Sequence, residues 1–119
     1  MLLAAFWILT AAVILGMGLS LFHLGLVSWR SRVIAALHSV AGAAGLSVLI
    51  WALQGPVHGF ANGVESFGEI AAFGAGAALA IGAVFVLFPR SLGRGWLIGV
   101  HATLGIAAFV FLSGYVLLG

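Results

Sequence analysis

The sequence predicts an all-α fold: an integral membrane four-helix up-down bundle built from two related helical hairpins. Hydrophobic residues make up 65% of the chain and charged residues only 5%, whereas a soluble domain carries about 25% charged residues to cover its surface. Four apolar stretches each approach or exceed the ~20 residues that a helix needs to cross a bilayer. Short polar or glycine-containing segments separate them, so all 119 residues are predicted to form a single transmembrane domain.

The predicted spans cover about residues 2–27, 33–53, 67–88 and 96–118. The first span lacks the charged N-terminal region of a secretory signal peptide and its apolar run is too long for one, so it is predicted to be retained. The second ends at Gln54-Gly55-Pro56 and the third at Pro89, because glycine and proline terminate helices. Short connections within each half of the chain predict adjacent antiparallel helix pairs.

All four arginines lie on the same side of the predicted bundle. They are Arg30, Arg32, Arg90 and Arg94, and the longer connection at 57–66 has none. Positively charged connections favour the cytoplasmic side, which predicts both termini outside in a bacterial inner (cytoplasmic) membrane. No basic stripe could follow a phosphate backbone, so nucleic acid is not an expected partner. The expected partners are the lipid bilayer and a larger membrane protein complex.

Two histidines occupy matching positions in the second and fourth spans. His38 lies six residues past Arg32, and His101 lies seven past Arg94. Both are therefore predicted roughly 9–10 Å inside the cytoplasmic interface at helical rise. Ionisable residues within a membrane are costly and usually functional. Because the second and fourth spans are diagonal in an up-down bundle, we predict that the two imidazoles are axial ligands of one iron between them.

A glycine follows each of these histidines after one helical turn. An offset of 63 residues places His38 on His101 and Gly42 on Gly105. Such a glycine opens a slot beside the imidazole that a flat macrocycle needs. The competing interpretation is helix packing, since small residues at four-residue spacing let membrane helices approach one another. The first and third spans match poorly under this offset.

The His38-x-x-x-Gly42 and His101-x-x-x-Gly105 pattern in a four-helix bundle resembles the bis-histidine b-type haem membrane cytochromes, including the haem-bearing anchor subunits of membrane dehydrogenases. The resemblance covers the second and fourth spans. It implies a haem b with His38 and His101 as axial metal ligands, exchanging electrons with a quinone or a partner redox protein. It also implies a small subunit of a respiratory or dehydrogenase complex. The absence of cysteine excludes iron–sulfur clusters and covalently attached c-type haem.

Three further residues are candidates for contact with such a cofactor. His23 lies seven residues before Arg30 on a helix that runs the other way, which predicts the depth of the paired histidines. It is a candidate for a propionate hydrogen bond, a quinone contact or a competing ligand. Arg32 and Arg94 are candidate propionate partners, and anchoring at the membrane surface is the stronger prediction for both.

Other interpretations stay open at this point. The chain could be a cofactor-free accessory subunit, because its small extramembrane mass leaves no room for soluble chemistry. A zinc or copper site formed by the three membrane histidines would lack carboxylate or sulfur ligands. His58 with Glu65 and Glu69 is a candidate outer proton or quinone site, with a solvated surface as the simpler interpretation. A carrier for small molecules or metal ions would need a polar path that the spans do not supply.

Overall fold

The computed structural model of the chain describes residues 1–26, 32–55, 63–88 and 94–118. These residues form four α-helices: α1 (Leu2–His23), α2 (Arg32–Leu53), α3 (Val64–Leu87) and α4 (Arg94–Leu118). All four helices are long and apolar enough to cross a membrane. The predicted all-α membrane bundle of four helices is therefore confirmed.

The helices pack with the neighbours that an up-down bundle gives them. α1 packs closely on α2 to form a first hairpin, and α3 packs closely on α4 to form a second. Looser contacts join α2 to α3 and α1 to α4. Among the described residues no close backbone contact joins α2 to α4, so the two helices that carry the paired histidines lie diagonally, as predicted. The bundle measures 46 × 24 × 22 Å.

The core of the bundle repeats between the two hairpins. Its central cluster consists of Ala5, Leu49, Ala71 and Leu112, each no more than 1% exposed. The two leucines are 63 residues apart and the two alanines are 66 apart. α1 and α3 therefore correspond at an offset of 66, which explains their poor match at 63. Equivalent positions of α1 and α2 are thus three residues further apart along the chain than those of α3 and α4.

α1 ends earlier than the sequence predicted. Gly25 has a φ of 74°, and the N–H groups of Gly25 and Leu26 donate hydrogen bonds to Phe22 and Leu21 carbonyls respectively. This is the Schellman motif, which glycine favours because it adopts a left-handed conformation without a Cβ clash. The helix consequently ends at His23 instead of residue 27.

α3 begins earlier than predicted, at Val64 instead of residue 67. Gly63 precedes it with a φ of 93°, a backbone conformation that glycine adopts readily. Glu65 and Glu69 therefore lie one turn apart on a helix, and both are exposed. α2 and α4 begin within two residues of their predicted starts. His58, Arg30 and Arg90 lie outside the described residues.

Small residues set the close approach of the helices within each hairpin. A Cβ added to Gly45 would lie 2.6 Å from Leu9 Cγ, and one added to Gly74 would lie 3.0 Å from Ala108 Cβ. Gly45 and Ala108 are equivalent positions at the offset of 63. The small residue two turns after each histidine, Gly45 or Ala108, therefore lets the paired helices pack closely. This is the role that small residues commonly have in membrane helices.

Candidate functional site

His38 of α2 and His101 of α4 meet inside the bundle. Their ring centres are 5.8 Å apart, and the ring planes make an angle of 77°. Both residues are half-buried. Because the backbones of α2 and α4 do not approach closely, these side chains bridge the diagonal of the bundle. The structure thus brings together the two residues predicted to form a ligand pair.

Each imidazole is held by a main-chain carbonyl of the other helix in its own hairpin. His38 Nδ1 donates to the Ala12 carbonyl at 2.8 Å, and His101 Nδ1 donates to the Ala78 carbonyl at 2.7 Å. A carbonyl oxygen can only accept, so Nδ1 carries the proton and Nε2 keeps its lone pair in a neutral ring. Neither Nε2 has a hydrogen-bond partner among the described residues.

These two hydrogen bonds are distinctive within the described part of the chain, because they alone join a side chain to a different helix. Six Ser and Thr hydroxyls donate to the carbonyl four residues earlier in their own helix; they belong to Thr10, Ser20, Ser39, Ser47, Thr103 and Ser113. Such hydroxyls are satisfied locally. These six hydroxyls therefore do not form a polar path between helices of the kind that a carrier would need.

A second pair of glycines makes room for the imidazoles. A Cβ added to Gly16 would lie 2.9 Å from His38 Cε1, and one added to Gly82 would lie 3.3 Å from His101 Cε1. Each glycine comes four residues after the alanine whose carbonyl accepts the hydrogen bond. The sequence signal for this arrangement is an Ala-x-x-x-Gly pattern that recurs at the offset of 66. We did not predict it from the sequence.

The predicted slot glycines have open surroundings. A Cβ added to Gly105 would meet no heavy atom within 4 Å, and one added to Gly42 would meet only Leu79 Cδ1, at 3.9 Å. Both glycines are half-buried. The protein therefore leaves space one turn beyond each histidine. That a macrocycle fills this space stays a prediction.

The donor set fits a metal held by two imidazoles. Metal–imidazole bonds of about 2 Å place the ring centres of two opposed ligands on the order of 6 Å apart, and the observed separation is 5.8 Å. Histidines that bind metals commonly donate their other ring N–H to a carbonyl or carboxylate. Two imidazoles with no thiolate or carboxylate are a ligand set that haem iron accepts in its two axial positions.

No family model, curated protein or solved structure matches this chain. A four-helix bundle hosts many unrelated functions, so the fold by itself does not identify one. The function is therefore inferred from the geometry of the site.

His23 does not join the pair. The His38 ring lies beside Gly16, and His23 is seven residues further along α1, about 10 Å at helical rise. It is the exposed last residue of the helix. The predicted common depth of three histidines is wrong, because α1 ends four residues early. The described residues also contain no group of three potential metal-binding side chains, which contradicts the zinc or copper site.

The two candidate propionate partners lie at helix starts. Arg32 is the first residue of α2 and its side chain is exposed. Arg94 is the first residue of α4, and its side chain lies outside the described part of the structure. Contact of either arginine, or of His23, with a cofactor stays a prediction.

Phe85 makes the surroundings of the two imidazoles different. Its ring centre is 5.8 Å from that of His101, with an angle of 71° between the planes. This edge-to-face contact is a favourable arrangement for aromatic rings. The equivalent residue of α1, at the offset of 66, is Leu19. The two halves of the site therefore share their hydrogen bonds and differ in their apolar contacts.

Proposed function

We propose that this chain is a membrane b-type cytochrome in which His38 and His101 hold a haem b between α2 and α4. The observation that carries the proposal is the pair of rings 5.8 Å apart, each with Nδ1 bonded to a carbonyl. An unpaired imidazole nitrogen in an apolar membrane interior is costly. A metal between the two Nε2 atoms would satisfy both of them at once.

The protein residues would orient and tune this cofactor. A bound haem supplies one-electron transfer. The Ala12 and Ala78 carbonyls hold the imidazoles in the tautomer that leaves Nε2 unprotonated and increase the basicity of the ligands. The space beside Gly42 and Gly105 leaves room for the edge of a macrocycle.

The depth of the site in the membrane bears on its proposed role in electron transfer. Both histidines lie in the first third of helices that begin with an arginine, so the site is nearer the arginine side of the membrane. We infer that electrons pass between a quinone and a partner redox protein. The chain would be a small subunit of a respiratory or dehydrogenase complex in a bacterial inner membrane, with both termini outside.

Arg32 and Arg94 would pair with the propionates, and His23 would contact a propionate or a quinone.

An absorption spectrum of the purified protein tests the haem proposal. We expect a Soret band, sharp α and β bands on reduction, and haem b in a pyridine hemochrome assay. His38→Ala and His101→Ala should abolish these bands while the helical circular dichroism signal persists. Thr103→Ala is the control on α4, since this exposed side chain bonds only a carbonyl of its own helix, and it should retain the bands.

A ligand exchange shows whether the histidines bind the iron directly. His38→Met should retain haem with a changed spectrum and a higher reduction potential, because a methionine ligand raises the potential. A purified wild-type protein that is colourless, and that binds no added hemin, would overturn the proposal.

The second candidate function is that of a cofactor-free accessory subunit of a larger membrane complex. It is favoured by the many large apolar side chains that the bundle exposes, among them Trp7, Trp51, Phe73 and Val110. Lipid or partner helices would cover such a surface. Under this alternative, a His38→Ala/His101→Ala double variant should still co-purify with the same membrane partners, and the wild-type complex should contain no haem attributable to this chain.

A further inference from the structure

We propose that Gly16 and Gly82 are positioning residues, which fix the orientation and tautomer of His38 and His101 by leaving two helix carbonyls open to the imidazoles. The inference deepens the proposed function, since it rests on the histidines being ligands through Nε2. It concerns residues of α1 and α3 that would not touch the metal.

The geometry of an α-helix explains why a glycine is needed. The carbonyl of residue i accepts the N–H of residue i+4 inside the helix. Each Cα–Cβ bond tilts towards the helix N-terminus, so the side chain of residue i+4 leans back over that carbonyl. A donor from a neighbouring helix therefore reaches the carbonyl from the side most easily where residue i+4 has no side chain. Ala12 with Gly16, and Ala78 with Gly82, have this spacing.

The distances show that the space left by these glycines is occupied by imidazole. A Cβ at Gly16 would lie 2.9, 3.3 and 3.7 Å from Cε1, Nδ1 and Nε2 of His38. A Cβ at Gly82 would lie 3.3 and 3.6 Å from Cε1 and Nδ1 of His101. An alanine at position 16 must therefore displace the His38 imidazole. An alanine at position 82 requires the His101 imidazole to move by only a few tenths of an ångström. The first substitution has the larger effect.

Displacement changes the chemistry of the ring as well as its position. An imidazole that loses its Nδ1–H to carbonyl bond is free to rotate and to carry its proton on Nε2 instead. A proton on Nε2 blocks the atom that would bind iron. Loss of such an outer hydrogen bond typically weakens metal binding by about 10–100-fold.

The first experiment measures the histidine tautomers without any cofactor. Apo-protein with ¹⁵N-labelled histidine is placed in lipid nanodiscs, and ¹⁵N chemical shifts report which nitrogen of each neutral ring is protonated. We expect Nδ1–H for His38 and His101 in the wild type. Gly16→Ala should shift His38 towards the Nε2–H tautomer, and Gly82→Ala should shift His101 in the same direction by a smaller amount.

Two glycines on the same helices provide matched controls. A Cβ at Gly18 of α1 would meet nothing within 4 Å, and one at Gly76 of α3 would meet only Leu46 Cδ2, at 3.9 Å. Gly18→Ala and Gly76→Ala should leave both tautomers unchanged. If Gly16→Ala does not fold, the milder Gly82→Ala variant carries the test.

The second experiment titrates hemin into the same variants and follows the reduction potential of the loaded protein. Gly16→Ala should weaken hemin binding by about 10–100-fold and shift the potential, Gly82→Ala should do so less, and the controls should match the wild type. Wild-type tautomers in both Gly16→Ala and Gly82→Ala would overturn the proposal. If the wild-type protein has the expected tautomers and the variants lose them, but the wild-type protein binds no hemin, the positioning role is supported and the haem is rejected.

Discussion

Leu49→Ala and Leu112→Ala should destabilise the bundle by similar amounts. Leu49 is 0% exposed and Leu112 is 1% exposed, and the two leucines occupy equivalent positions in the two hairpins. Leu→Ala substitutions in a packed core cost about 2–5 kcal/mol, with the larger values where a larger cavity is left. Separated membrane helices stay in lipid, so transfer to water contributes little and lost packing dominates. We therefore expect about 2 kcal/mol for each variant, at the lower end of that range.

Reversible unfolding in mixed micelles of increasing SDS content, followed by tryptophan fluorescence, measures this loss. Leu117→Ala is the control on α4, because Leu117 is 83% exposed, and it should change the free energy of unfolding by no more than about 0.5 kcal/mol. Equal destabilisation by Leu112→Ala and Leu117→Ala would refute the assignment of the core. A large effect of Leu112→Ala with none from Leu49→Ala would refute the repetition of that core in both hairpins.

Three further outcomes are expected. Gly45→Ala should destabilise the bundle by about 1–3 kcal/mol in the same titration, because the added Cβ would lie 2.6 Å from Leu9 Cγ. Gly99→Ala is the control and should not destabilise the bundle, because its Cβ would meet nothing within 4 Å. The angle of 77° between the His38 and His101 rings predicts a strongly anisotropic low-spin ferric EPR signal after hemin loading, and the weakly anisotropic signal of parallel imidazoles would contradict the observed ring geometry. Alkaline phosphatase fused to the C-terminus should be active in a bacterial host, and an inactive fusion with a fluorescent C-terminal GFP fusion would reverse the predicted topology.

The membrane helices and the histidine pair could be predicted because their signals are local. Hydropathy and the turn-forming glycines and prolines locate each span, and the paired histidines lie six and seven residues past the arginines that begin their helices. Helical rise then converts sequence distance directly into depth. Leu49 and Leu112 each follow one of the histidines by about three helical turns, so they share its face, and both are buried.

The remaining features depend on the backbone, which the pattern of side chains does not reveal. Counting back from Arg30 gave the wrong depth for His23, because the turn at Gly25 ends α1 before the apolar residues end. The correspondence of α1 and α3 is hidden at the offset of 63, because the sequence distance between equivalent positions of the paired helices differs by three residues in the two hairpins. Any residue can supply a main-chain carbonyl that accepts a hydrogen bond from an imidazole, so the sequence does not mark such a residue. Alanine and glycine at four-residue spacing are also common in membrane helices, so the pattern by itself does not reveal the bond.

The division of contacts between hairpins bears on how the protein assembles. Each histidine–carbonyl bond forms within one hairpin, whereas the contact between the two imidazole rings joins one hairpin to the other. During synthesis the N-terminal hairpin can thus orient His38 before the C-terminal hairpin has entered the membrane. Each hairpin thus forms as a unit that presents one oriented imidazole to the interior of the bundle.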